Sequence, residues 1–175
     1  YGDHYLLKSN LLSLGMQQLY PSRLINSEYF DTDKLQMFLD SEEGVLPRKK
    51  IRVRWYHEKK ERKLETKISS VEGRFKISKN VEINSNKKYV YDDLYGKIFP
   101  SIIVNYKREY YKVYGYRITV DREIQYDIFD LKKKFLNTIN ENRIIMELKT
   151  NFNSNENDIN KKFPFEIIRF SKYCF

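Results

Sequence analysis

Apolar and polar residues alternate in several segments of the chain, and this pattern predicts β-strands. In residues 48–57, Ile51 and Val53 fall on one face and Arg52 and Arg54 on the other. Successive strand residues point to opposite sides of a sheet, so a period of two indicates a strand. Further strands are predicted at 22–30, 63–69, 72–79, 101–111, 116–125 and 143–150. We therefore expect a chain dominated by antiparallel strands.

Helices and loops are predicted between these strands. Apolar spacing over 5–20 favours a helix that ends at Pro21, and the capping signal 31–33 precedes a short helix at 34–39 that Gly44 and Pro47 terminate. The other connections are a hairpin turn at 57–62, a loop at 81–88, a short helix or turn at 89–95, a loop or short helix at 126–139 with the basic run 132–134, and a surface loop at 151–162. Residues 163–175 supply apolar side chains for packing. We find no repeat or domain boundary and expect a single domain over 1–175.

The charge of the chain points to an anionic partner. Its 175 residues include 33 Lys and Arg against 24 Asp and Glu, a net charge of +9. Such a balance makes polyanions the first partner class to test. The single Cys174 excludes an internal disulfide, and His4 and His57 form no zinc motif. No apolar run approaches the roughly 18 residues of a membrane helix, and no glycine-rich phosphate loop is present. We expect a cytoplasmic location.

The polar strand faces carry the candidate chemistry. Five pairs of residues share a face opposite apolar positions: Arg52 with Arg54, Glu65 with Lys67, Tyr106 with Arg108, Arg117 with Asp121, and Glu147 with Lys149. If the apolar faces pack outward against helices, the charged faces point inward, as in a closed barrel around polar space. Arg and Lys suit phosphate chains, and carboxylates among them suggest Mg²⁺ or Mn²⁺. The alternative is a solvated face with cross-strand ion pairs.

Seven segments carry a resemblance to a known family. They are 29–32 (YFDT), 50–56 (KIRVRWY), 64–67 (LETK), 106–111 (YKREYY), 117–121 (RITVD), 146–149 (MELK) and 169–173 (RFSKY). Their order resembles the VTC domain, the polyphosphate polymerase domain of the vacuolar transporter chaperone complex and its bacterial relatives, within the triphosphate tunnel metalloenzymes of the CYTH-like superfamily. The resemblance runs from about Tyr29 to Phe175.

The resemblance implies an α+β fold, an antiparallel β-barrel that forms a triphosphate tunnel with helices packed outside. It assigns substrate binding to Arg52, Arg54, Lys67, Tyr106, Arg108, Arg117, Lys149, Ser171 and Lys172. Six of these, Arg52, Arg54, Lys67, Arg108, Arg117 and Lys172, are expected to take part in catalysis. Glu147 matches the ligand of Mn²⁺ or Mg²⁺, and Glu65 is a weaker metal candidate. Lys76 or Lys79 is a loose match to one more lysine.

The expected activity is nucleotide-driven polyphosphate synthesis, with ATP or another nucleoside triphosphate and polyphosphate or triphosphate as partners. Two alternatives stay open: a metal-dependent triphosphatase, and a non-catalytic module for a polyanion or single-stranded nucleic acid. Nucleic acid is not expected, because acids and bases share faces in a repeated order. The family's first strand, with a Glu-x-Lys start, is expected before Tyr1. Without an SPX or transmembrane segment, the chain resembles the stand-alone bacterial form.

Overall fold

The computed structural model describes residues 3–57, 61–81, 89–129, 135–150, 155–163 and 165–174. Strands make up most of this part of the chain. The elements are α1 (His4–Ser13), β1 (Gln17–Asp31), α2 (Gln36–Glu43), β2 (Arg48–Tyr56), β3 (Arg62–Ser70), β4 (Gly73–Val81), β5 (Val90–Asp92), β6 (Gly96–Val113), β7 (Tyr116–Phe129), β8 (Phe135–Glu141), β9 (Ile145–Lys149) and α3 (Glu156–Lys162).

The strands form one antiparallel sheet in the order β4-β3-β2-β1-β6-β7-β8. The long strand β7 has two partners on the same side: β8 pairs with residues 124–129 and β9 with residues 117–121. The short β5 pairs with β6. The sheet therefore has β4 at one edge and β8 with β9 at the other.

The expected closed barrel is not confirmed. Within the described ranges no strand pairing joins β4 to β8 or β9, so the sheet stays open there. Alternation specifies which side chains share a face, but closure depends on edge-to-edge hydrogen bonds that no residue pattern encodes. The coarser expectation, a mainly antiparallel β protein with few helices, is confirmed.

Two helices cover the apolar side of the sheet. Leu7 and Leu11 of α1 and Phe163 after α3 pack in one buried cluster with Ile118 and Val120 of β7. Asp3 begins α1 by accepting hydrogen bonds from two backbone amides, and Asn155 begins α3 in the same way with one. The prediction that apolar strand faces pack against helices is confirmed for this half of the sheet. The three helices have 10, 8 and 7 residues, too few for any of them to cross a membrane.

Asp31 ties β1, α2 and the carboxyl-terminal segment together. Its buried carboxylate accepts the backbone N–H of Met37 at 2.8 Å and of Phe38 at 2.9 Å, so it caps α2. It also accepts the Tyr173 hydroxyl, whose ring stacks on Tyr29 at 5.1 Å between centroids. The predicted capping signal at 31–33 is thus confirmed.

Three predicted segments differ from the structure. The first helix ends at Ser13 rather than at Pro21, because Gly15 takes a left-handed conformation (φ +79°) and the following residues pair with β6. Residues 126–129 and 135–141 are strands rather than a loop, since β8 pairs with β7. Residues 156–162 form α3 rather than a surface loop.

Smaller differences and gaps complete the comparison. At 89–95, where a short helix or turn was expected, residues 90–92 form β5 and residues 93–95 a turn. The predicted strands near 22–30, 48–57, 63–69, 72–79, 101–111, 116–125 and 143–150 are confirmed. Parts of the predicted connections, residues 58–60, 82–88 and 151–154, and the basic run 132–134 lie outside the described residues.

Candidate polyanion site

The strand registers place the expected site residues on one side of the sheet, which we call the polar face. Residues directly opposite each other on neighbouring strands point to the same side. The pairs are Tyr29 with Arg52, Arg52 with Glu65, Lys67 with Lys50 and Lys76, Arg108 with Asp121, Thr119 with Glu147, and Arg117 with Lys149. Arg54 and Tyr106 also meet there: the Arg54 Nη2 donates to the Tyr106 hydroxyl at 3.0 Å across β1.

Lys67 lies on the polar face of β3, opposite Lys50 and Lys76. Burial and the charge of Arg52 lower the pKa of Lys67 to about 8, and the charge of Glu147 opposes that shift.

The polar face has two halves. Glu65 binds the cations of the first half, which β2, β3 and β4 form. The Arg52 Nε and Nη2 donate to its Oε2 at 2.8 and 2.7 Å, and the Lys76 Nζ donates to its Oε1 at 2.5 Å. Arg54 lies 3.6 Å from the same carboxylate. Burial would raise the pKa of Glu65, but the charges of Arg54 and Arg52 and the Lys76 hydrogen bond outweigh it and lower the pKa to about 2.

Asp121 binds the cations of the second half, which β6, β7 and β9 form. Its fully buried carboxylate accepts the Arg108 Nε at 2.6 Å and Nη2 at 2.7 Å in a bidentate pair. The Lys172 Nζ reaches Asp121 Oδ2 at 2.5 Å. Burial would raise the pKa of Asp121, yet the Arg108 hydrogen bonds and the charge of Lys172 lower it. Lys172 belongs to the carboxyl-terminal segment, so this segment completes the cluster.

Tyr29 lies between the two halves. Its buried hydroxyl accepts the Arg52 Nη1 at 2.9 Å. Burial would raise the pKa of Tyr29, but the charges of Arg52, Arg54 and Lys172 lower it. Because these three cations come from β2 and from the carboxyl-terminal segment, Tyr29 marks the point where both groups of positive charge converge.

Glu147 is the most accessible carboxylate among the expected residues. Its side chain is 48% exposed, and its Oε2 lies 3.5 Å from the Arg108 Nη2. Opposite it on β7, the Thr119 hydroxyl is buried and without a hydrogen-bond partner in the described part of the chain. By contrast, both oxygens of Glu65 are held by cations.

Whether a divalent metal fits this face depends on the carboxylates available to bind it. The described residues contain no group of three or more Asp, Glu, His or Cys side chains that could hold an ion. Mg²⁺ at phosphate sites is commonly bound by one or two carboxylates together with substrate phosphates. The accessible Glu147 is thus the carboxylate that this face offers to an ion of that kind, and the described residues do not enclose an ion by themselves.

Several expected residues lie around the rim of the polar face. Lys67, Arg117 and Lys149 form no ion pair with a carboxylate of the described residues. Burial lowers the pKa of Lys149, an effect that Arg117 reinforces and Glu147 opposes. Ser171 accepts a hydrogen bond from the Lys50 Nζ at 2.8 Å.

Three residues that organise the site are not among the expected site residues, although the sequence pattern had paired Asp121 with Arg117 on one strand face. Lys50 reaches the carboxyl-terminal segment, Tyr29 contacts Arg52, and Asp121 pairs Arg108 with Lys172. Lys50 and Asp121 continue the alternation of Arg52 and Arg117, so period two was the available signal. Tyr29 had no such signal, because its role depends on the pairing of β1 with β2.

Comparisons with known proteins identify the family of the chain. A search of curated proteins finds no match. The family model described as the VTC domain matches residues 5–175, which include every element of the sheet and the carboxyl-terminal segment that bears Lys172. The chain therefore belongs to the VTC domain family.

Proposed function

We propose that the polar face binds a polyphosphate or triphosphate chain and catalyses metal-dependent phosphoryl transfer from a nucleoside triphosphate. The observation that carries the proposal is the convergence of Arg52, Arg54, Arg108 and Lys172 around Tyr29 and Tyr106. The VTC domain family is associated with polyphosphate polymerase activity. Arg matches phosphate oxygens bidentately and Lys adds compact charge, so this set suits a chain of phosphates.

We further propose that the two edges of the sheet enclose that chain as a tunnel. The charge of Lys76 in β4 lowers the pKa of Lys149 in β9, which supports an electrostatic influence of one edge strand on the other.

The proposed reaction needs positioning and charge neutralisation more than a covalent intermediate. A terminal oxygen of the bound polyphosphate attacks the γ-phosphorus of the nucleotide, the bond from that phosphorus to the β–γ bridging oxygen breaks, and the nucleoside diphosphate leaves. Arg52, Arg54 and Lys67 would hold phosphates in the first half of the face, and Arg108, Arg117 and Lys172 in the second.

Glu147 is the residue that would hold Mn²⁺ or Mg²⁺. Its accessible carboxylate forms one ion pair among the described residues, with Arg108, whereas Glu65 has both oxygens occupied. Such an ion, when bound, neutralises phosphate charge. The side chains of Tyr106, Lys149 and Ser171 would contact the chain and orient it.

The first test is incubation of the protein with ATP and Mn²⁺ while polyphosphate and free phosphate are both measured. Growth of polyphosphate is the expected result. Release of free phosphate without polymer would favour the triphosphatase. Binding of tripolyphosphate without turnover would favour a non-catalytic polyanion module, and a lack of binding would contradict the proposal.

The second test is Glu147→Gln, which keeps the shape of the side chain but removes its charge. We expect at least a hundredfold loss of Mn²⁺-dependent turnover with tripolyphosphate affinity largely retained, on the order of a catalytic charge-stabilising contact. Glu72→Gln, in the exposed turn between β3 and β4, is a control with the same change of net charge. Full activity of Glu147→Gln would exclude Glu147 as the metal ligand.

A further inference from the structure

An aromatic cluster with an arginine at its centre lies at one end of the polar face. The Arg23 guanidinium is 5.9 Å from the Tyr20 ring centroid, 5.7 Å from that of Tyr56 and 5.6 Å from that of Tyr110. The Tyr20 and Tyr110 rings meet edge to face at 5.9 Å. We call these four residues the tyrosine cluster.

The cluster is a continuation of the phosphate-binding residues rather than a separate patch. Arg23 pairs with Arg108 in the sheet register, and Tyr20 with Tyr110. Tyr56 and Tyr110 each follow the site arginines Arg54 and Arg108 by two residues on the same strand face. With a rise of about 3.3 Å per residue, the rings lie about 7 Å along the strands from those arginines.

The two ends of the polar face differ in access. Tyr173 and Ser171 cover the end that contains Tyr29 and Lys50. At the tyrosine cluster, Tyr20 is 50% exposed and Arg23 is exposed. A ligand whose phosphates occupy the middle of the face thus has room for a further group beyond Arg54 and Arg108.

The chemistry of the cluster favours a planar, π-rich group. Arg23 makes its visible contacts with rings and forms no ion pair with a described carboxylate. Arg117 also lies over Tyr110, at 5.7 Å. Aromatic rings and guanidinium planes both stack on nucleobases, and such stacking tolerates any base because every base has a π-face.

We propose that the tyrosine cluster is the subsite for the base of the nucleoside triphosphate, with Tyr20 and Tyr56 stacking on the base and Arg23 moving aside or stacking with it. The inference rests on the proposed function, since it requires a nucleotide as a substrate. The short distance from these rings to Arg54 and Arg108 places the triphosphate of that nucleotide over the site cations. The subsite selects for the presence of a base with little preference among bases.

The test compares ATP with inorganic tripolyphosphate, which has the phosphates without the base. Calorimetry would measure the affinity of each ligand for the wild type and for the double variant Tyr20→Ala/Tyr56→Ala. We expect ATP to bind the variant about tenfold more weakly, the scale of one lost base stack, with tripolyphosphate affinity unchanged within about twofold. Tyr56→Phe keeps the ring and should retain ATP affinity.

Matched variants make the outcomes distinct. Tyr91→Ala removes a ring that is 69% exposed on β5, away from the cluster, and should alter neither affinity. Arg54→Ala should weaken both ligands. Equal losses for ATP and tripolyphosphate in the double variant, or no loss for either, would overturn the base subsite while the phosphate site stands. A wild type that binds neither ligand would overturn the proposed function itself.

Discussion

Glu65 and Asp121 each bind clustered cations in one half of the polar face, but their surroundings differ. Each carboxylate binds a guanidinium through short hydrogen bonds and a lysine at 2.5 Å. Glu65 draws its partners from adjacent strands, and its lysine, Lys76, is 48% exposed. Asp121 is fully buried and draws Lys172, which is 10% exposed, from the carboxyl-terminal segment.

In both halves, a buried carboxylate stabilises the clustered cations while the site as a whole keeps a net positive charge. A buried guanidinium alone carries a large desolvation cost, and a carboxylate beneath it offsets that cost. Both carboxylates have more cationic partners than they can neutralise, so positive charge is left over for a ligand. The Glu65 half opens into a pocket of about 250 Å³ lined by Arg54, Lys63 and Lys76, whereas Asp121 itself is fully buried.

The largest expected effect is that of Asp121→Asn. Lys172 would lose its countercharge and Arg108 would keep only the half-exposed Glu147, so we expect a loss of about 3 kcal/mol in the free energy of unfolding. Urea titration followed by circular dichroism measures it. The control is Asp127→Asn, whose carboxylate accepts hydrogen bonds from the neutral Asn105 and Thr138. Equal losses in both variants would show that the charge of Asp121 is not what matters.

Glu65→Gln should have a smaller effect, about 2 kcal/mol, because water can solvate the exposed Lys76. The pKa of Glu65 is about 2 in the fold, below its unfolded value of about 4.3. Its stabilising contribution is therefore fully present above the unfolded pKa and is lost as the pH falls towards 2.

Urea midpoints between pH 6 and pH 2.5 would test this dependence. The gap between the wild type and Glu65→Gln should narrow with falling pH. Glu72→Gln, in the exposed turn between β3 and β4, should leave the midpoint unchanged. A gap that stays constant down to pH 2.5 would contradict the assigned ionisation of Glu65.

The smallest expected effect concerns Lys67, whose pKa is lowered to about 8 by burial and by Arg52. As the pH rises from 7 to 9, Lys67 loses its charge, so tripolyphosphate should bind about fivefold more weakly from the loss of one nearby cation. Calorimetry of the wild type and of Lys67→Arg separates this step from titration of the ligand. Identical pH dependence in the two proteins would remove Lys67 from the phosphate site.

The alternating strands could be predicted because apolar and polar residues alternate along a strand that buries one face and exposes the other. Residues 48–56 carry the pattern in full, and both the strand and its arginine face are found in the fold. β8 could not be predicted, because residues 135–141 form a strand through pairing with β7 rather than through a pattern of their own. α3 could not be predicted, because its sequence is polar. The helix depends on the Asn155 cap and on packing beside Phe163.

The site shows the same division between local and distant information. Arg52 and Arg54 share a face by spacing alone, so they could be identified as a pair. The contact of Lys172 with Asp121 joins positions that no local pattern connects, and only the family resemblance suggested Lys172. The influence of the Glu147 charge on the pKa of Lys67 likewise joins two residues that no local pattern connects.

The contact of Tyr173 with Asp31 also bears on how the protein is made. These residues are 142 positions apart, and Lys172 beside them completes the Asp121 cluster. Synthesis at about 5–20 residues per second produces all nine described strands before this segment appears. Until then, Arg108 has only part of its final surroundings, so the nascent chain cannot complete the polar face strand by strand. The polar face is completed in one late step, after its most non-local contacts have closed.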